Sequence, residues 1–151
     1  MNKYIIVELI PTTSKKETGD IIQLSALKID NLSLIDRFDY RLNEDKIYFK
    51  KLLELIDYDK ELFVYKNTTD EILNDFKEWC ENYKILIIDN EYTKSYLKEF
   101  ENKESIFEHL NMKYNDNIID EIIEKYNLEN SNYIVDLLYE ALIYENNLTN
   151  K

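Results

Sequence analysis

Apolar residues crowd Tyr4 to Ile10, YIIVELI, before Pro11-Thr12-Thr13 breaks the run. A short apolar run closed by proline reads as a buried strand. IIQLSALKI (Ile21 to Ile29) and SLIDRFDYRL (Ser33 to Leu42) are two further strand-like runs, and Asp30-Asn31-Leu32 between them predicts a hairpin. In the second of these runs Leu34, Asp36, Phe38, Tyr40 and Leu42 fall on one face, and Arg37, Asp39 and Arg41 on the other. The period then changes. A helical stretch is expected over Tyr48 to Ile56, and a stronger helix from Thr68, where Thr68 and Glu71 have capping-box spacing. Ile72, Leu73, Phe76, Trp79, Cys80 and Tyr83 follow at three- and four-residue steps and define one buried face. Ile85 to Ile88 is a four-residue apolar run, the pattern of a strand covered on both sides. Helical patterns return over Thr93 to Glu101, Ile106 to Leu110, Asn117 to Tyr126 and Asn132 to Tyr144. This order predicts an α/β three-layer fold: a mixed central sheet, with three antiparallel strands first and parallel strands after, flanked by helices.

Length and composition fit one domain over residues 1–151, with 44% apolar residues. The chain contains no run of eighteen apolar residues, and its start lacks the features of a signal peptide, so a cytoplasmic location without membrane association is expected. The lone Cys80 agrees with a reducing compartment. Charge changes the picture more. With 31 acidic and 19 basic residues the formal net charge is -12, which opposes approach to a polyphosphate. Lys15-Lys16 and Lys50-Lys51 are the only basic pairs of note, and Arg37 and Arg41 are the only arginines. Weak or absent nucleic-acid binding is the expectation.

Residue scarcity excludes several chemistries. Gly19 is the only glycine, so a dinucleotide fingerprint or a P-loop is ruled out. One cysteine and one histidine, His109, cannot supply a zinc tetrad. His109 sits in the helical pattern IFEHL without an adjacent nucleophile and acid, and reads as an ordinary helix histidine. Tyrosines are abundant, but Tyr83, Tyr96 and Tyr126 occupy apolar-periodic positions and read as core. One strand end does suggest chemistry. Residues two apart in a strand share a face, so an acid-x-acid pair ending the first strand would aim two carboxylates at one metal; here the pair is Glu8 and Ile10.

The local sequences together resemble the DEDD-type (DnaQ-like) 3′-5′ exonuclease domain of the ribonuclease H-like superfamily. The family's apolar strand ending D-x-E-T-T-G resembles Val7-Glu8-Leu9-Ile10-Pro11-Thr12, and its next strand resembles Asp20 to Lys28. Asp36-Arg37-Phe38 is similar to its D-R-F sequence, Glu54 to Tyr58 to its E-L-T-G-I segment, and Glu71 to Trp79 to its E-V-L-x-x-F-x-x-W helix. Tyr96-Leu97 fix the register of its second motif, and Ser131 to Leu137 resemble the closing H-x-A-L-x-D-A.

The resemblance implies four carboxylates holding two divalent metals, with a histidine as general base. Carried over residue by residue, the first Asp becomes Glu8, the Glu becomes Ile10, the middle Asp becomes Thr93, the His becomes Ser131, and the last Asp is kept as Asp136. Glu8 and Asp136 are thus the remaining candidate metal ligands, with Asp89 and Glu91 as possible substitutes near Thr93. Mg²⁺ demands ligands at about 2.1 Å in near-octahedral array, and loss of the base removes a further factor of about 10² to 10⁴. The expectation is an exonuclease-like domain without catalysis and without a cofactor, Mg²⁺ or Mn²⁺ entering only with residual activity. Such a domain would bind a protein partner, such as a basic nucleic-acid-binding protein, through its acidic surface. The competing expectation is a metal-dependent 3′-5′ exonuclease on single-stranded DNA or short RNA, with a rearranged site.

Overall fold

The computed structural model describes residues 3–41, 68–131 and 133–149. The helical reading over Tyr48 to Ile56, the resemblance at Glu54 to Tyr58 and the facing of Leu42 lie outside the described residues. The three opening strands form where the apolar pattern predicts them: β1 (Lys3–Pro11), β2 (Ile21–Asp30) and β3 (Ser33–Arg41). The β2–β3 turn places Asn31 at φ 51° and Leu32 at φ 70°. Asparagine tolerates that region, and a leucine there is strained. Tertiary contacts hold Leu32 in place: it packs against a core cluster, and its carbonyl accepts a 2.7 Å hydrogen bond from the Tyr139 hydroxyl.

Helix α1 (Thr69–Cys80) begins where the capping box predicts, with Thr68 Oγ1 accepting from the Glu71 amide. Then come β4 (Lys84–Ile87), α2 (Glu91–Tyr96), β5 (Lys103–Ser105), α3 (Ile106–His109), α4 (Ile118–Tyr126) and α5 (Ile134–Thr149). The five strands form one sheet in the order β3-β2-β1-β4-β5. β1–β2 and β2–β3 are antiparallel, while β1–β4 and β4–β5 are parallel. Strand β5, with the polar sequence KES, carries no apolar signal in the sequence; parallel pairing of Ile85, Leu86 and Ile87 with Lys103, Glu104 and Ser105 defines it. Helix α2 is shorter than the pattern over Thr93 to Glu101 suggests. Asn90 caps it early by accepting from the Thr93 amide, and Lys103 Nζ donates to the Leu97 carbonyl beyond its end.

Alternation along β1 divides the core in two. Ile5, Val7 and Leu9 pack with Ile72, Leu73, Phe76 and Cys80 of α1, while Ile6 packs with residues of α3, α4 and α5 on the opposite face. On the α1 side Lys28 is buried, donating to the Trp79 carbonyl at 2.5 Å and to Glu81 at 3.1 Å. One expected facing is corrected. The β2–β3 register shifts between Lys28 and Ile29, so Asp36 pairs with Lys28 but Leu34 pairs with Ile29. Ile35 is the extra residue of a bulge, and Leu34 therefore faces away from Asp36, Phe38 and Tyr40. Among the described residues, no helix is long and apolar enough to cross a membrane.

Candidate functional site

The carboxyl end of a parallel strand pair, where loops leave the sheet together, is the usual ligand position in open α/β sheets. Glu8 lies there. It pairs with Ser25 across β2 and is only 3% exposed. Its carboxyl group is pushed up to about 7, because burial penalises the charged form more than the backbone amides of Ile134 and Val135, at the start of α5, favour it. Asp136 raises it further and Arg37 opposes that. Glu8 Oε1 finds no hydrogen-bond partner among the described residues. Two other buried oxygens share this condition, Gln23 Oε1 and Thr93 Oγ1. Gln23 belongs to the same face as Glu8: it pairs with Ile10, two residues on, and its Nε2 donates to Ser25 Oγ at 3.2 Å.

The other carried-over positions have separate roles. Ile10 is half-buried and packs against the α1-side core, so a hydrocarbon stands where the acid-x-acid pattern would need its second carboxylate. Thr93, third residue of α2, is 1% exposed and presents a neutral hydroxyl. The neighbouring Tyr92 hydroxyl is pushed up by burial first, then by Tyr114 and Glu8. Ser131 accepts from the Tyr133 amide at 3.2 Å and so shapes the entry to α5. Of the substitute acids near Thr93, Asp89 accepts from Ser105 Oγ, and Glu91 is exposed in the first turn of α2. His109 is paired with Glu104 and packs edge-on against Tyr4 at 5.1 Å.

Asp136 is committed elsewhere. Arg37 Nη1 donates to Asp136 Oδ1 at 2.9 Å, Arg37 Nε donates to Asp39 Oδ2 at 2.5 Å, and the guanidinium lies 4.7 Å over the Tyr133 ring. Burial works against the Arg37 charge, but Asp39 and Asp136 more than offset it, and its pKa rises. A cavity of about 780 Å³ beside α5 is lined by Ser131, Asp136, Tyr139 and Glu140; Glu8 and Thr93 do not line it.

A divalent ion does not fit this donor set. Glu8 supplies a single buried carboxyl, Ile10 offers no donor, Thr93 offers a hydroxyl, and Asp136 already faces a cation. Among the described residues no group of three His, Cys, Asp or Glu side chains is arranged to hold a metal. In the sequence Arg37 stands out as one of two arginines, within Asp36-Arg37-Phe38 and on the strand face opposite Phe38. Its strand parity, opposite to Phe38, was the signal that it faces the helix carrying Asp136.

No family model matches the chain. The chain is 26% identical over 76 residues to a PolC-type DNA polymerase III of Staphylococcus aureus (strain bovine RF122 / ET3-1), a stretch that is 50% of this chain and 5% of the polymerase. Among solved structures it is similar to exonuclease X in complex with 5′-overhanging duplex DNA, with TM-score 0.69 and 8% identity over 98% of this chain and 93% of that one. A full-length 3′-exonuclease gives TM-score 0.68 and 11% identity over 99% and 82% of the two chains. The zinc-bound E. coli ExoI–single-stranded DNA complex gives 0.66 and 9% over 100% and 41%. The fold is therefore exonuclease-like and ribonuclease H-like, as the sequence resemblance implies.

Proposed function

We propose that this chain is an exonuclease-like domain that does not hydrolyse phosphodiesters and acts by binding another protein through its acidic exterior. One observation carries the reading: Asp136, the one family carboxylate kept unchanged, is held by Arg37 at 2.9 Å. A carboxylate paired with a guanidinium is a poor ligand for a second cation, and Glu8 is then a lone buried carboxyl with neither Ile10 nor Thr93 adding a second one. Ser131, which stands at the histidine position, carries no group of suitable basicity and its hydroxyl accepts from the chain entering α5. The partner of matching chemistry is a basic protein, such as a nucleic-acid-binding one, because a net charge of -12 repels nucleic acid and attracts surfaces that bind it.

The second reading, a metal-dependent 3′-5′ exonuclease with a rearranged site, is favoured by the fold and by the match to the polymerase. Incubating the purified chain with single-stranded DNA and short RNA in Mg²⁺ and in Mn²⁺ separates the two. The expected result is no product above a buffer control. Degradation that disappears with Glu8→Ala or Asp136→Ala would overturn the first reading in favour of the second. For the partner, association with candidate basic proteins should weaken steeply with salt, and salt-independent binding would remove the electrostatic rationale.

A further inference from the structure

We propose that Arg37 is the resident cation of this site, supplying from within the chain the positive charge its carboxylates require and leaving no place for a divalent ion. The inference rests on the non-hydrolytic reading above and deepens it. Its first support is the strand register. At the hairpin, Asp30 pairs with Ser33 and Ile29 with Leu34. Continued without a bulge, that register would set Asp36 opposite Leu27 and turn Arg37 to the α1 face. The extra residue Ile35 shifts the pairing by one, so Arg37 sits opposite Leu27, which pairs in turn with Ile6 on the face covered by α5. A bulge of this kind re-aims every side chain that follows it. Here it delivers a guanidinium, rather than a carboxylate, to the helix that carries Asp136.

The second support is how the guanidinium is held. Its Nη1 and Nε reach carboxylates from two different elements, Asp136 on α5 and Asp39 on β3, and its plane covers Tyr133. Asp39 is opposite Ser25, which is opposite Glu8, so Arg37 is one row from the buried acid on the same sheet face. A planar fork bridging two carboxylates over an aromatic ring uses the properties that distinguish arginine from lysine.

The test uses the full chain at physiological salt, so that loose counterions on an acidic surface are suppressed. Mn²⁺ is titrated while amide resonances of Glu8 and of Ile134 to Asp136 are followed for paramagnetic broadening, and thermal unfolding is compared in EDTA and in Mg²⁺. The wild-type chain should show no saturable broadening at these positions below about 1 mM Mn²⁺, a weak limit for biological divalent sites, and the same unfolding temperature in both buffers. Arg37→Met should free Asp136 and tighten Mn²⁺ binding at the same residues by about tenfold or more. Saturable wild-type broadening at micromolar Mn²⁺, or an Arg37→Met chain that folds and gains no affinity, overturns the proposal. Should Arg37→Met not fold, the wild-type titration decides alone. Mn²⁺ binding without hydrolysis would sink this inference and leave the functional reading standing, whereas hydrolysis would sink that reading itself.

Discussion

Replacing Glu8 by glutamine should make the protein more stable at neutral pH, the reverse of what a metal-binding or ion-paired carboxylate would give. The buried Glu8 carboxyl is raised from 4.5 to about 7, chiefly by burial. Between those values the folded chain retains a proton that the unfolded chain has released. The native state therefore binds more protons there, and stability falls as pH rises. The contribution is fully present below pH 4.5 and is lost as pH passes through 7. At 1.36 kcal/mol for each pKa unit, the loss is about 3 kcal/mol. Glutamine imitates the protonated acid: it keeps an oxygen for the Ile134 and Val135 amides and adds no charge. Urea denaturation of wild type and Glu8→Gln from pH 4 to pH 8 is the assay. The two curves should run close together at pH 4 and separate by about 3 kcal/mol at pH 8, with the variant the more stable. Groups with depressed values, such as Glu104 beside His109 and Lys84, lose stability toward acid in both proteins and cancel in the difference. A constant offset from imperfect packing of the amide also cancels. A gap that does not shift in the variant's favour between pH 4 and pH 8 would refute the reasoning.

Gly19→Ala should destabilise the fold by about 1–3 kcal/mol, the usual cost of overpacking: a Cβ at this position would lie 2.2 Å from Tyr96 Oη and 2.4 Å from Thr13 Oγ1. Tyr96 is buried and its hydroxyl is tied to the Thr13 carbonyl, so it cannot swing aside; an unchanged melting temperature would refute this. Cys80, buried against the α1-side core with its thiol pushed up to about 12 by burial, should resist aromatic disulfide reagents at pH 8 and react only as urea unfolds the chain. Native-state labelling at the rate of a free thiol would contradict that placement.

Strand and helix positions with a strong period were legible in the sequence. Tyr4 to Ile10, Ile21 to Ile29 and the helix after Thr68 each combine an apolar pattern with a clear stop or cap, and the structure forms them within a residue or two. What escaped was set by tertiary contact. Strand β5 has only polar residues and exists because β4 offers it a parallel edge. The Ile35 bulge follows from a conflict between the hairpin, which fixes Ser33 opposite Asp30, and the core, which needs Phe38 and Tyr40 on the α1 face. No local propensity reveals how such a conflict is resolved. The resemblance singles out Ile10, Thr93 and Ser131, and the structure places them near the end of β1, in α2 and just before α5. The pairing of Asp136 with Arg37 was not legible, since the partners are 99 residues apart and meet only when α5 covers the sheet.

The altered positions make electrostatic sense as a set. Four carboxylates packed at one end of a sheet repel one another unless cations lie among them. Ile10 and Thr93 remove two of the charges that the family pattern would place there. Of the two that remain, Asp136 is balanced by Arg37, and Glu8 is buried deeply enough to hold its own proton near neutral pH. The extra methylene of Glu8 has a structural consequence as well, because it carries the carboxyl toward the first amides of α5, where a neutral acid still accepts hydrogen bonds. In the proposed reading, a monovalent guanidinium and one proton do the balancing that divalent ions would otherwise do. Restoring a carboxylate at position 10 alone would therefore not rebuild a metal site. It would set a second acid two residues from Glu8 on the same strand while Arg37 still held Asp136, and that added repulsion would fall first on Glu8, driving it further toward its protonated form.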